Sequence, residues 1–382
     1  MPSESKLIQI KFYPPKELYE LASWRIAVSV ETPQNVTLKL GLHLDYMHQF
    51  TLHSQQRAEL RDRFGRRIDY LRISVTDKCD LRCSYCIPKG FRGFEEPENW
   101  LTFSEIERIV AAFGRLGVSR VRLTGGEPLL RRDLPNLVRA IASHQEISDI
   151  SLSTNATQLE KHASTLFAAG VRRVNVSLDS LDRACVESIT GSDNLEQVMR
   201  GLQAAKHVGM QPIKLNMVVL GGVNEHEVKR MAQFCMDEGF ILRLIEAMPM
   251  GTTGQSSRFC DLQPIRESLV KTFDLRPMAE EIGGGPARYW SNLDRTSTIG
   301  FISPLSQHFC ATCNRVRLGV DGTLYMCLGQ DSQLPLRGLL RGGISDAELE
   351  QTIRGAVELK PERHEFQEKP TQIVRFMSQT GG

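Results

Sequence analysis

Between Asp69 and Glu246 the chain repeats one pattern: a short run of alternating apolar and polar residues, then a longer stretch whose apolar residues recur every three or four positions. Period two predicts strands at 69–75 (DYLRISV), 120–124 (RVRLT), 149–154 (DISLST), 173–178 (RVNVSL), 213–219 (IKLNMVV) and 241–246 (ILRLIE). Period 3.6 predicts helices in the gaps. One begins behind a capping box, Thr102 with Glu105, and runs through IERIVAAFGRL; others lie near LPNLVRAIA, LEQVMRGLQAAK and HEVKRMAQFCM. Six strand–helix units in series imply a parallel sheet, and the period alone does not choose between a doubly wound sheet and a barrel.

The residues that follow the strands favour the barrel. Cys79 to Cys86, Gly125-Gly126-Glu127-Pro128, Thr154-Asn155, Asp179-Ser180, Gly221-Gly222 and Met248-Pro249-Met250-Gly251 each come directly after a strand. Unusual chemistry gathered at strand ends is the layout of a barrel with its site at the carboxyl face, and six units make an incomplete one. Alternation within the strands adds a second observation: Arg72, Ser74, Arg122, Ser153, Asn175, Lys214 and Arg243 share the face opposite the apolar set. If the apolar face meets the helices, the cations point inward, where unpaired charge is costly and a polyanionic ligand is the natural partner. A solvated sheet face or internal ion pairs is the alternative.

After Glu246 the texture changes to Gly- and Pro-rich connections (TGQSS, EIGGGPARYW), which marks a second, α+β domain. Its clearest unit is RVRLGVDGTLYMCL, a hairpin turning at Asp321-Gly322, followed by the helical stretch ISDAELEQTIRGAVE and a tail ending in Gly381-Gly382. Ahead of the repeats, KLIQIKFY and NVTLKLGL suggest a little β structure without recognisable chemistry. The expected division is therefore 1–56 as an extension of no assigned role, 57–247 as the partial barrel and 248–382 as the second domain. Met47 is the expected natural start.

With 382 residues, a net charge of +2 and a pI near 8.1, bulk charge gives no reason to expect nucleic acid or an acidic membrane. The amino terminus lacks a signal-peptide pattern and no apolar run approaches the length of a membrane helix, so the expected location is cytoplasmic. Charge specificity must then be local. Of nine cysteines, six form two tight groups, Cys79, Cys83, Cys86 and Cys310, Cys313, Cys327, which in such a chain favours metal or cluster ligation over disulfides. Spacing C-x3-C-x2-C can hold zinc or three irons of a cubane, yet the window from Thr76 to Asn99 offers no fourth Cys or His. A zinc site completed from distant residues is the bland alternative. An iron with an open position is the informative one, because it can bind a small molecule and act on it.

The triad with Tyr85 before its last cysteine, followed by Gly125-Gly126-Glu127-Pro128, resembles the radical S-adenosylmethionine enzymes. The second triad with N-R-V-R inside it, the terminal Gly-Gly and the run FGRRIDYLRISVTD narrow the resemblance to the GTP 3′,8-cyclase family of molybdenum-cofactor biosynthesis, from about Phe64 to Gly382. The resemblance implies an incomplete (βα)6 TIM-type barrel with a C-terminal molybdenum-cofactor-synthesis domain. It implies one 4Fe-4S cluster on Cys79, Cys83 and Cys86 and a second on Cys310, Cys313 and Cys327. S-adenosylmethionine would meet Tyr85, Gly126, Ser177 and Met248; GTP would meet Arg72, Arg122, Ser153, Lys214, Arg315 and Arg317. Arg72, Arg315, Arg317, Gly381 and Gly382 would act in catalysis. Taken without the family, Met248 reads as plain core, Ser177 as a strand-end hydrogen bond and Arg315 and Arg317 as a solvated hairpin face.

The implied reaction is abstraction of the ribose 3′ hydrogen of GTP by a 5′-deoxyadenosyl radical, bonding of C3′ to guanine C8, and reduction with protonation to 3′,8-cyclo-7,8-dihydro-GTP. An external electron donor, a hand-off to cyclic pyranopterin monophosphate synthase and a homodimer belong to the same implication; nucleic acid and membrane do not. A peptide-modifying maturase with an auxiliary cluster and a structural zinc module are the rivals. Two positions depart from the family pattern: Ala156 stands where glycine is common, and Asp80 follows Cys79 where Asn or an aromatic is usual.

Overall fold

The computed structural model describes residues 25–32, 35–41, 59–279, 282–369 and 371–381. The chain divides into two compact units, Met1–Arg57 and Ala58–Gly382. In the first, β1 (Arg25–Thr32) pairs antiparallel with β2 (Asn35–Gly41), so NVTLKLG is a strand as expected; KLIQIKFY and Met47 lie outside the described residues.

In the second unit the six expected strands form as β3 (Tyr70–Ser74), β4 (Arg120–Thr124), β5 (Asp149–Thr154), β6 (Arg173–Ser177), β7 (Ile213–Val219) and β8 (Ile241–Glu246), each parallel to the next. Their helices are α1 (Phe103–Arg115), α2 (Leu134–Ala142), α3 (Leu159–Ala169), α4 (Arg183–Thr190), α5 (Leu195–His207) and α6 (Val228–Glu238). The Thr102 capping box forms in full: Glu105 N donates to the Thr102 hydroxyl and the Glu105 carboxylate accepts from Thr102 N. Below it Ile106, Ile109, Val110 and Phe113 are buried against Leu71, Ile73, Val121 and Leu123, the outward set of β3 and β4. Continuous apolar burial on that side leaves the opposite sheet face to the alternating polar residues.

The carboxyl-terminal segment does more than append a domain. After α7 (Gly251–Gln255), α8 (Leu262–Phe273) and the short β9 (Arg276–Pro277), strand β10 (Arg288–Ser291) pairs with β11 (Thr298–Ile302), and β11 joins β8 in parallel. On the other side β12 (Arg315–Leu318) joins β3 in parallel and turns at Asp321-Gly322 into β13 (Thr323–Tyr325), which pairs with β14 (Gln333–Pro335). One mixed sheet results, in the order β14-β13-β12-β3-β4-β5-β6-β7-β8-β11-β10-β9. Residues from β12 and β3 share a cavity with residues from β7 and β8, so the sheet curves, consistent with a partial barrel. The expected carboxyl-terminal helix appears as α10 (Asp346–Glu358), preceded by α9 (Arg337–Arg341); α11 (Met377–Thr380) ends the described chain. No helix among the described residues is long and apolar enough to cross a membrane.

Candidate active site

Two cavities lie on the polar side of the sheet. They share Asn216, Ile245 and Met248 as lining residues, so they are neighbours across the ends of β7 and β8.

The first cavity is lined by Cys79, Cys83 and Cys86 together with Tyr85, Gly126, Ser153, Ser177 and Met248. The cysteine loop is held from behind: Arg82 N and Ser84 N donate to the carbonyls of Thr190 and Ile189 at the end of α4. Burial pushes the three thiols up, Cys86 to about 12. They therefore stay protonated until a metal displaces the protons. No histidine lines the cavity among the described residues. Tyr85 donates to Asp179 (2.7 Å), whose other oxygen accepts from Val218 N (2.8 Å), and burial raises Asp179 to about 6. That bond fixes the tyrosine ring at the cavity wall.

Glycine at 126 has a packing reason. Gly126 N donates to Thr76 O, and a Cβ there would strike the carbonyls of Asp77 and Lys78, the backbone that leads into Cys79. The next residue, Glu127, is fully buried and accepts from the Thr154 hydroxyl (2.6 Å), Asn155 N (2.7 Å) and Leu129 N (3.0 Å). It ties the β4 turn to the end of β5. Both departures from the family pattern have local accommodation. Asp80 accepts from Asn155 Nδ2 (2.7 Å) and the Thr157 hydroxyl (2.6 Å), and Ala156 adopts φ +63°, the left-handed conformation a glycine would take, at a cost of about 1 kcal/mol.

The second cavity is lined by Cys310, Cys313 and Cys327 and by Arg72, Arg122, Arg243, Arg315 and Arg317, with no Asp or Glu among its lining residues. Register explains the convergence: Arg317, Arg72 and Arg122 sit side by side on β12, β3 and β4. Burial and the neighbouring cations lower Arg72 well below the usual guanidinium range; burial holds Arg122 and Arg317 at about 10. The buried Nε atoms of Arg72 and Arg315 have no hydrogen-bond partner among the described residues. Unpaired guanidinium donors in a carboxylate-free cavity call for a bound anion. Cys313 differs from the first-cavity thiols: burial raises it, but Lys360 and Arg315 outweigh burial and bring it down to about 7. The donor set of three thiols beside cations suits an anionic iron–sulfur cluster. The ligand atoms of His308, Cys310 and His364 also lie within 4.8 Å of one another, a grouping that sequence spacing did not suggest.

Two residues expected at GTP lie elsewhere than the arginines. Ser153 sits two positions beyond Ser151, the residue in register with Arg122, so it reaches the first cavity, where its hydroxyl is unpartnered. Lys214 lies near the amino end of β7, two positions before Asn216; its Nζ donates to Ile282 O (2.7 Å) and Tyr289 Oη (3.4 Å), and it lines neither cavity. Burial and the charges of Arg243, Arg173 and Arg122 lower it to about 6. Alternation gives the face of a strand residue, while its depth depends on strand tilt. Arg243, absent from the expected contacts, lines the second cavity and donates to Asn216 and Asn175; the alternation had already turned it inward.

The tail joins the two sites. Met377 and Ser378 line the first cavity, while Arg317 donates to the carbonyl of Gly381, which is buried at φ +74° with no room for a Cβ beside the Thr124 hydroxyl. Gly382 lies outside the described residues.

Comparison with known proteins agrees with this arrangement. Residues 73–235 match the Radical SAM superfamily model and residues 240–366 match Molybdenum Cofactor Synthesis C. The chain is 43% identical over 336 residues to a GTP 3′,8-cyclase of Ectopseudomonas mendocina, covering 87% of this chain and 100% of the relative. It is 44% identical over 345 residues to the one of Paracoccus denitrificans, covering 88% and 99%. Among solved structures, Streptococcus suis SuiB bound to S-adenosylmethionine superposes with a TM-score of 0.53 at 15% identity, covering 83% of this chain and 77% of that one, which speaks to fold alone.

Proposed function

The chain belongs to the GTP 3′,8-cyclase family, and on that premise we propose how its two cavities divide the family's reaction. The protein is a radical S-adenosylmethionine enzyme that cyclises GTP in molybdenum-cofactor biosynthesis and uses a 4Fe-4S cluster with S-adenosylmethionine. In the proposed division Cys79, Cys83 and Cys86 hold that cluster at the first cavity, Cys310, Cys313 and Cys327 hold a second cubane, and GTP lies between them. The sheet is read as an incomplete (βα)6 barrel over 57–247, with 248–382 as the domain that carries the second cluster and the tail. When bound, a cluster on Cys79, Cys83 and Cys86 would supply one-electron reducing chemistry for cleavage of S-adenosylmethionine, and Cys310, Cys313 and Cys327 would hold a second beside the arginines.

The observation that carries this reading is the carboxylate-free cavity with five arginines and three thiols, open to the first cavity at Asn216, Ile245 and Met248. Arg72, Arg122, Arg243, Arg315 and Arg317 bind the triphosphate and hold it in place. Gly126 lets the turn pack on the cysteine loop; Tyr85, fixed by Asp179, and Met248 flank S-adenosylmethionine, with Ser177 and Ser153 supplying hydroxyls. Arg317 and the tail through Gly381 close over the reacting ribose and exclude water. An external donor, transfer of the product to cyclic pyranopterin monophosphate synthase, a homodimer and a cytoplasmic location complete the proposal.

The His308, Cys310 and His364 grouping favours one other reading, a structural zinc at the second site. Anaerobic preparation and metal analysis separate the two: about eight irons per chain support two cubanes, and about four irons with one zinc support the alternative. The activity is tested with GTP deuterated at C3′, S-adenosylmethionine and a reductant. The expected result is deuterium in the 5′-deoxyadenosine and an equimolar isomer of GTP separated by chromatography; deuterium retained in GTP refutes it.

A further inference from the structure

The second cysteine group lies beside a lysine that neither the strand pattern nor the motifs single out. Lys360 is only 2% exposed, lies just beyond α10, and lines the same cavity as Cys310, Cys313 and Cys327. Its Nζ donates to the carbonyl of Arg315 (3.0 Å), two residues after Cys313, and to that of Met326 (2.6 Å), the residue before Cys327. One ammonium thus bridges the two strands that bring these cysteines together. No carboxylate lies within ion-pairing distance of it among the described residues, and two carbonyls alone are poor compensation for a buried full charge.

The rest of the segment is fixed from the other side. Arg66, buried and paired with Asp62 (2.6 Å), donates to the carbonyls of Cys310 (2.9 Å), Pro361 (2.6 Å) and Glu362 (2.7 Å). Arg66 belongs to the FGRR run, so this motif gains a role as the anchor of the 360–364 turn. With the turn anchored, the ammonium cannot withdraw to solvent. An ammonium has three N–H donors, and the carbonyls take two.

We propose that Lys360 is a positioning residue of the second cluster: it bridges the Cys313 and Cys327 strands through their carbonyls and sets its charge and remaining N–H against the cluster. The proposal rests on the reading of Cys310, Cys313 and Cys327 as cluster ligands. Partners of this kind, hydrogen-bonded around metal ligands, alter metal affinity by about 10–100-fold when removed. A cation held at the cluster also favours the reduced, more negative state, so its loss shifts the reduced-to-oxidised ratio by about tenfold or more at fixed potential.

The test uses the full chain with Cys79, Cys83 and Cys86 all replaced by Ala, so that only the second cluster contributes iron and signal after anaerobic reconstitution. Lys360→Gln keeps donors for the carbonyls and removes the charge; Lys360→Met removes both. The expected results are about four irons in the parent, a reduced-cluster EPR signal at fixed potential about tenfold weaker in Lys360→Gln, and iron loss to a chelator about tenfold or more faster in Lys360→Met. Equal EPR signals in the parent and Lys360→Gln overturn the proposal, even if Lys360→Met loses iron, because a carbonyl bridge alone would then suffice. A parent that holds zinc or no metal overturns the second-cluster reading and this proposal with it.

Discussion

GTP binding should carry a proton onto Lys214. In the protein without nucleotide this lysine is buried, donates to the Ile282 carbonyl, and is lowered to about 6 by burial and by the charges of Arg243, Arg173 and Arg122. At pH 8 only roughly 1% of it is then protonated. A triphosphate beside these cations offsets their repulsion, though not the burial, and so moves the lysine upward from about 6, with part of a proton taken up on binding. Each full proton taken up weakens GTP affinity by about tenfold per pH unit, or about 1.36 kcal/mol, so the slope between pH 7.5 and 9, above the range in which phosphate titrates, reports the fraction taken up. Calorimetry in two buffers of different ionisation enthalpy gives the proton count, with Lys214→Met as the comparison. The wild-type count should exceed that of the variant, and the variant's affinity should change less with pH. Equal counts would refute the reasoning and remove Lys214 from the triphosphate's surroundings. The same depression acts on stability: because the folded-state value lies below the unfolded one, the nucleotide-free enzyme gains stability as pH rises from about 6 towards about 10.4.

Other outcomes follow from the same geometry. Cys313→Ala should keep reductive cleavage of S-adenosylmethionine within about twofold while abolishing GTP cyclisation; unchanged cyclisation in the chromatographic assay would take the second cysteine group out of the reaction. Gly381→Ala places a Cβ against the Thr124 hydroxyl at φ +74°, costing about 1–2 kcal/mol locally. The tail should leave the site, so deoxyadenosine forms with little cyclised product, and a wild-type product ratio would count against the tail's role. Glu127→Gln cannot accept all three hydrogen bonds at that buried position, and thermal unfolding should report a loss of about 1–3 kcal/mol.

The alternation in 69–246 located the six central strands almost to the residue, and the capping box located α1, because both are local: a period and a backbone cap need no distant partner. The two cysteine groups also stood out, three thiols at 79–86 and three at 310–327, and each set lines one of the two cavities. The inward face was legible too, as Arg72, Arg122 and Arg243 show by meeting in one cavity. Depth along the barrel wall was not. Ser153 and Lys214 carry the right parity, but Ser153 lines the other cavity and Lys214 is held by Ile282 and Tyr289, because position along the strand and the 282–289 connection decide which inward residues meet.

The largest element hidden from the sequence is the union of its two halves. Nothing in TIGFI or RVRL announces that β11 and β12 dock in parallel on opposite flanks of the six strands, since each partner lies in another segment of the chain. That docking sets Arg317 beside Arg72 and brings the second cysteine group over the arginines. Lys360 and Arg66 show the same limit at the scale of single side chains. Their partners are backbone carbonyls far away in sequence, and a carbonyl leaves no trace in residue identity. The sequence by itself determined the thiols, the charges and the face on which the strand residues lie; tertiary structure alone decided which of them meet, because register is settled by packing between segments that no local pattern links.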